Sequence, residues 1–420
     1  MTVQAPADIR KRLEAELGAM QAPLVSLCSD LGRQQSQNPP GDTSGMADTC
    51  QNALDGIDGV TVERIVSEQP KVNLVARLKG GRGGRRLVMN GHLDTGPVAD
   101  PEKWTVPPFG GVVRDGRIYG RGIGDMKAGI AANVMAMRVL ANFRQHLKGE
   151  LVLMLVGDES SGGRHGTDHV LRVAPDLAGD AMLSGDAGSS RVARLGEKGF
   201  LFIEIEARGK SAPGAQPHRG DNAILRLIPA LQAVSVLEKE ASPVPADIKA
   251  AIEKAGEISE AVNGTGETRI LTHITVNVGL IQGGIRVNNV PSKATARIDI
   301  RIPPGLGVAE MGAKISAALK DVPNVAWREL DSAEPNATAP DAEIVRTLVR
   351  NAEAIVGRPI GVSIRPGFSD GRFFRQRNVP TVVYGMTPLN GNAPDEYVLV
   401  EELEQVFKVH ALTAFDYLTA

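Results

Sequence analysis

The segment Glu150–Val156 constrains the fold more than any other. After Glu150 it is a continuous apolar run, which reads as a strand buried on both faces of a parallel sheet. Its surroundings agree. Asn73–Leu78 and Arg86–Asn90 read as short strands, Asp125–Arg144 as a helix rich in Ala and Met, and Ala181–Leu183 as another apolar strand. Helix and strand alternate up to Asp186, which predicts an α/β sheet with helices on both faces. Ahead of it, Ala7–Leu31 reads as one helix, with Ile9, Leu13, Leu17 and Met20 at three- and four-residue spacing. Pro39–Asp42 reads as a loop.

The character of the chain changes near Gly199. Phe200–Ala207, Thr272–Ile281 and Ala294–Ile302 alternate apolar and polar residues, as half-buried strands do, and Asn222–Lys239 is helical in pattern. A polar, Pro-containing stretch at Ala333–Pro340 precedes a return to helix and strand. These shifts predict an α/β catalytic domain with a mixed central sheet flanked by helices, built discontinuously from residues 1–198 and 334–420. An α+β lid, residues 199–333, is inserted in it. A chain of 420 residues has room for both.

Composition excludes several functions. A net charge of −2 and 4% aromatic residues supply neither a basic face nor stacking platforms for nucleic acid. No apolar run approaches the roughly 20 residues that cross a bilayer. Met1–Met20 is charged and lacks the apolar core of a secretion signal. Cys28 and Cys50 have no C-x-x-C spacing and read as reduced thiols. The expectation is a soluble, cytoplasmic protein whose partner is a small-molecule substrate.

Acids and a histidine stand where the predicted strands end. Arg86–Asn90 runs into Gly91-His92-Leu93-Asp94, so His92 falls at the carboxyl edge of the sheet, where α/β proteins place their sites. A metal-bound imidazole donates its other N–H to an acceptor that fixes its tautomer, and Asp94, two residues on, can provide one. Asp125 follows the glycine-rich turn Gly120–Gly124 and otherwise reads as a helix N-cap, with Lys127 beside it solvated. Asp158-Glu159 follows the buried strand, and carboxylates there are costly unless paired or used. Glu159 is a candidate general base toward a water activated by a metal. Asp186 ends the strand Ala181–Leu183. His92, Asp125 and Asp186 together make a one-histidine, two-carboxylate set suited to Zn²⁺ or Mn²⁺.

The order H-x-D, G-x-x-D-x-K, D-E-x-S-G-G, G-D, N-x-V-P, D-x-R, S-D-G-R-F and A-P-D-E-Y resembles the co-catalytic zinc amidohydrolases and exopeptidases across nearly the whole chain. That family includes aminoacylase, glutamate carboxypeptidase and succinyl-diaminopimelate desuccinylase. The resemblance implies a catalytic domain with a lid that dimerises. It makes His92, Asp125 and Asp186 one metal site with Asp125 the bridging aspartate, Asp94 the partner of the histidine, and Glu159 the general base. It makes Asn288 and Arg301 lid residues that bind a substrate carboxylate.

Three positions depart from the pattern. Ser160 stands where the family has Glu and Asn392 where it has His, and both changes strip the second metal. Pro213 stands where the lid has a His that steadies the tetrahedral oxyanion, a donor whose loss costs about 2.7–4 kcal/mol in acyl transfer. His218, after Pro217, is a distant substitute. The expectation is therefore one divalent ion, Mn or Zn, and a hydrolase of a C–N bond in a small carboxylated substrate. The same resemblance includes enzymes that release ammonia from aromatic amines such as 5-nitroanthranilate. There Arg286, Arg301 or Arg365 would stabilise charge moved onto the nitro group. The alternatives are an N-acyl-amino-acid amidohydrolase or carboxypeptidase and, from a different class, an inactive small-molecule-binding protein. Retention of Glu159 with three ligands speaks against the last.

Overall fold

A computed structural model describes residues 6–420. Met1–Ala5, the start of the segment read as charged and signal-free, lie outside the described residues. Two compact units emerge. Among the described residues the first comprises 6–195, Thr338–Ser363 and Ser369–Ala420, and the second Gly196–Ala337 and Ile364–Phe368. The boundaries read from the sequence, 198/199 and 333/334, fall a few residues from these, and the return of Ile364–Phe368 to the second unit had no sequence signal.

The first unit is built on a mixed sheet. From its edge the strands run Val60–Glu68, Lys71–Lys79, Lys148–Val156, Arg82–His92, Ala181–Ser184 and Thr381–Val383. The last four are mutually parallel, while Lys71–Lys79 pairs antiparallel with Lys148–Val156. Strand Lys148–Val156 is buried from Glu150 onward because both of its faces are covered. On one face Val88, Val152, Met154 and Met182 pack with Val170 and Leu171 of helix Thr167–Val173 and with Phe374. Helices Ala128–Ala141 and Val400–Thr419 pack together against the sheet, the second touching strands Arg82–His92 and Lys148–Val156.

The expected single helix Ala7–Leu31 is two, Pro6–Gly18 and Gln21–Gly32. Pro23 would clash with the carbonyl four residues before it in a continuous helix, so the chain breaks at Ala19-Met20. The expected helix Asp125–Arg144 begins at Ala128. Lys127 precedes its first residue and Gly122 precedes the turn Ile123–Lys127, so Asp125 stands inside that turn, with φ −136° and ψ 85°, and caps neither.

The second unit carries a four-stranded antiparallel sheet in the order Thr275–Gly283, Lys293–Ile302, Gly199–Arg208, Val325–Ala333. Leu201, Ile203 and Ile205 alternate inward and meet Leu227, Ala230 and Val234 of helix Ala223–Ser235 and Met311 and Ile315 of helix Val308–Leu319. Asn222 caps the first of these helices, its Oδ1 accepting from the Ile224 and Leu225 amides.

Candidate metal centre

Three parallel strands deliver the site. His92 ends one, in register with Val156 of the next, and the turn after Val156 carries Asp158 and Glu159. Ser184, in register with Asn90, is followed by Gly185 and Asp186. Strand order alone thus gathers His92, Glu159 and Asp186 on one carboxyl edge. Asp125 arrives from the turn Ile123–Lys127. Its helix packs so closely on the Asp186 loop that a Cβ on Gly129 would stand 2.1 Å from the Gly185 carbonyl oxygen.

His92 Nε2 lies 3.0 Å from Asp125 Oδ1 and 3.7 Å from Asp186 Oδ1. The three ligand atoms all fall within 4.8 Å of one another, and among the described residues no other His, Cys, Asp or Glu group gathers in this way. His92 and Asp186 are each 4% exposed, while Asp125 is half-buried. His92 Nδ1 donates to the main-chain oxygen of Asp94 at 2.9 Å, which leaves the Nε2 lone pair for a metal. One imidazole with a fixed tautomer and two carboxylates fits a divalent metal ion.

The carboxylate of Asp94 does not hold the imidazole as expected, since its Oδ1 is 3.7 Å from Nδ1. It is engaged elsewhere. It accepts from the amides of Glu159 at 3.1 Å and Ser160 at 3.2 Å, from Ser160 Oγ at 2.5 Å and from Asn38 Nδ2 at 3.0 Å. Asp94 therefore fixes the turn that carries the candidate base. Glu159 is half-buried. Burial, reinforced by Asp186, Asp370 and Asp125 against the opposing pull of His92, raises its pKa well above the usual carboxylate range. Burial alone would lower the His92 pKa, but the Asp125 and Asp186 carboxylates and Glu159 outweigh it and raise it. A carboxyl beside the three-ligand set stands where a proton can be exchanged with a bound water.

Several participants escaped the sequence reading. Asp370, within S-D-G-R-F, is buried and its pKa is pushed up to about 7 by burial. Arg372 of the same motif donates to the carbonyl of Gly162, clasping the far end of the Glu159 turn. Lys127 is not solvated. It is fully buried, donates to Gln34 O at 2.7 Å, and is brought down to about 7 by burial. Arg121 is 4% exposed and donates to Gly96 O, to Glu396 Oε2 and to Asn392 Oδ1. The quoted motifs contained Asp370, Arg372 and Glu396, but not their contacts.

Other expected residues lie in the second unit. Arg301 holds Asp299 with both Nε, at 2.8 Å, and Nη2, at 3.1 Å, and its guanidinium lies over the rings of Phe200 and Phe202. Its fork is thus occupied by its own strand neighbour. Arg286 and Asn288 are exposed, Arg365 is half-buried, and the main chain of Asn288 accepts from Gly214 N. Pro213 pairs with Asn289 in a short two-stranded ladder, and His218 is exposed in the turn Pro217–Arg219. Cys28 and Cys50 are free and buried. No described helix is long and apolar enough to cross a membrane.

Residues 88–416 match the model of peptidase family M20/M25/M40. The chain is 29% identical to a succinyl-diaminopimelate desuccinylase of Rhodospirillum centenum over 92% of its length and 95% of that protein's. It is 30% identical to one of Gluconacetobacter diazotrophicus, over 93% and 95%. The fold is similar to that of an M20 family metallo-carboxypeptidase of Sulfolobus solfataricus, with a TM-score of 0.76 and 18% identity over 94% of this chain and 99% of that one. The chain belongs to peptidase family M20/M25/M40, and like the members of that family it is a metal-dependent hydrolase of C–N bonds.

Proposed function

We propose that this hydrolase works with a single divalent ion, Mn or Zn, on a small carboxylated substrate, and that it releases ammonia from an aromatic amine of the 5-nitroanthranilate kind. The observation that carries the proposal is the state of the two departed ligand positions. Ser160 Oγ donates to Asp94, and Asn392 Oδ1 accepts from Arg121 at 2.8 Å. Each is committed to a protein partner, and neither is an anionic or imidazole ligand, while the set His92, Asp125 and Asp186 is complete.

His92, Asp125 and Asp186 would hold the ion, which would supply Lewis-acid activation of water and charge stabilisation. Glu159 takes the proton from that water as the new C–O bond forms, and passes it to the nitrogen as the C–N bond breaks. The balance is aryl amine plus water to phenol plus ammonia. Asp94 keeps Glu159 in place through its two amide contacts. Pro213 offers no hydrogen-bond donor, which disfavours a mechanism that collects charge on a carbonyl oxygen beside it. A nitro group para to the amine takes that charge into the substrate itself, and Arg286, Arg365, Arg301 and Asn288 are the candidates to bind the substrate's anionic groups. The exposed apolar residues Leu280 and Ile281 on the edge strand Thr275–Gly283, with Leu225 and Ile228 on helix Ala223–Ser235, support a homodimer through the second unit.

A second reading, amide hydrolysis, is favoured by the full-length relatives, which are named as desuccinylases. One experiment separates the two: ammonia release from 5-nitroanthranilate and succinate release from N-succinyl-diaminopimelate, by protein reconstituted with Mn²⁺ or Zn²⁺, with bound metal counted. Ammonia with about one ion per chain is expected. Succinate alone, with about two ions per chain, would sink the proposal in favour of ordinary amide hydrolysis.

A further inference from the structure

Asn392 is placed by a rigid frame. Its own φ is 61°, and Asn390 and Asp395 in the same loop are also left-handed, at 54° and 57°. Three such non-glycine residues in six positions persist only where surrounding contacts over-determine the backbone. The contacts are present. Asp395 accepts from the Thr105 amide at 2.8 Å and the Thr105 hydroxyl at 2.7 Å. Glu396 accepts from the amides of Gly122 and Gly124 and from Arg121. Those glycines lead directly into Asp125. Arg121 also reaches Gly96 O, just beyond His92–Asp94, and a Cβ on Gly96 would stand 2.6 Å from its Nη2. The same guanidinium thus ties Asn392 to the segments that carry two of the three ligands.

This frame settles which way the amide faces. A guanidinium only donates, so the atom 2.8 Å from Arg121 Nη2 is the oxygen, and the Nδ2 group points away from it. Asn392 is exposed, so this donor is accessible. Among the described residues no protein acceptor takes a hydrogen bond from it. The side chain occupies the position where the resembled family holds a ligand of its second metal.

We infer that Asn392 is a substrate-binding residue, its Nδ2 group donating to a carboxylate oxygen of the substrate in place of the second metal. The inference rests on the single-metal reading above. A fixed neutral donor does part of what a cation would do there: it orients an anionic oxygen without needing a metal ligand set. Arg121 acts through it as a positioning residue.

The test is calorimetric titration of metal-loaded protein with anthranilate and with succinate. Asn392→Asp keeps an oxygen for Arg121 but removes the donor, and Asn392→Leu removes both. Asn390→Asp adds the same charge to the same exposed loop as a control. Loss of a hydrogen bond to a charged group weakens binding about tenfold or more. That loss is expected in both Asn392 variants for whichever carboxylate the wild type binds, with Asn390→Asp within about twofold of wild type. Equal affinities for Asn392→Asp and Asn390→Asp would overturn the inference, as would a wild type that binds neither carboxylate. Binding of succinate alone would count against the aromatic substrate, while Asn392 would still be judged by the same ratio.

Discussion

Replacing Glu396 with Gln tests how the site is held together, because the change keeps shape and removes only charge. Glu396 is 0% exposed and Arg121 4%. Oε2 faces Arg121 Nη1 at 2.8 Å and the Gly122 amide at 3.2 Å, and Oε1 faces the Gly124 amide at 3.2 Å. Every neighbour is a donor. A Gln must turn its own NH₂ toward one set or the other, so one hydrogen bond is lost and the Arg121 charge is left buried without its counter-ion. Breaking a buried pair in this way costs about 3–5 kcal/mol. For a unit of about 270 residues, an unfolding entropy near 2.1 cal/mol/K per residue turns about 4 kcal/mol into a Tm drop of about 7 °C. Scanning calorimetry reads this directly. The double variant Arg121→Met, Glu396→Leu fills the same space without charge and should recover most of the loss. A Tm for Glu396→Gln within about 1 °C of wild type would refute the reasoning.

Three further outcomes are expected. Glu159→Gln should lower kcat by about 10²–10⁴ with metal content unchanged, and a loss of metal instead would make residue 159 a ligand. His410 is fully buried between Asn133 and Tyr384, and burial lowers its pKa to about 4. The folded state therefore binds its proton later than the unfolded state. Stability should fall by about 3 kcal/mol as pH drops from 6.5 to about 4, and urea melts of His410→Gln should lack that slope. Finally, Ser160→Glu with Asn392→His should raise bound metal from about one ion per chain to about two by elemental analysis, and no change would mean that something besides the ligands excludes the second ion.

The parts of this site that were legible in sequence are those that chain direction dictates. An apolar strand followed at once by an acid or histidine can only put that residue at the strand's carboxyl end, so His92, Glu159 and Asp186 could be placed together before any coordinates. The parts that were not legible depend on contacts between distant segments. Nothing near Arg121 announces Asn392 or Glu396, which lie some 270 residues later. Lys127 reads as solvated because a lysine beside a turn at a helix start ordinarily faces water. Its buried ammonium is satisfied by the Gln34 carbonyl of another segment. Asp94 misled for a subtler reason. The residue was right, but an extended chain lets the main-chain oxygen reach the imidazole, which frees the carboxylate for Asn38 and the Glu159 turn. The break ahead of Pro23 is signalled by the proline itself, although the apolar spacing continues through it.

The double engagement of Asp94 has a mechanical consequence. Its carbonyl steadies the imidazole and its carboxylate steadies the Glu159 turn, so the two halves of the site are linked through the covalent skeleton of one residue rather than through packed side chains. Bond lengths do not breathe with the surrounding helices. A change at residue 94 would therefore reach His92 and Glu159 at once, like a broken hinge pin that frees both leaves of a door.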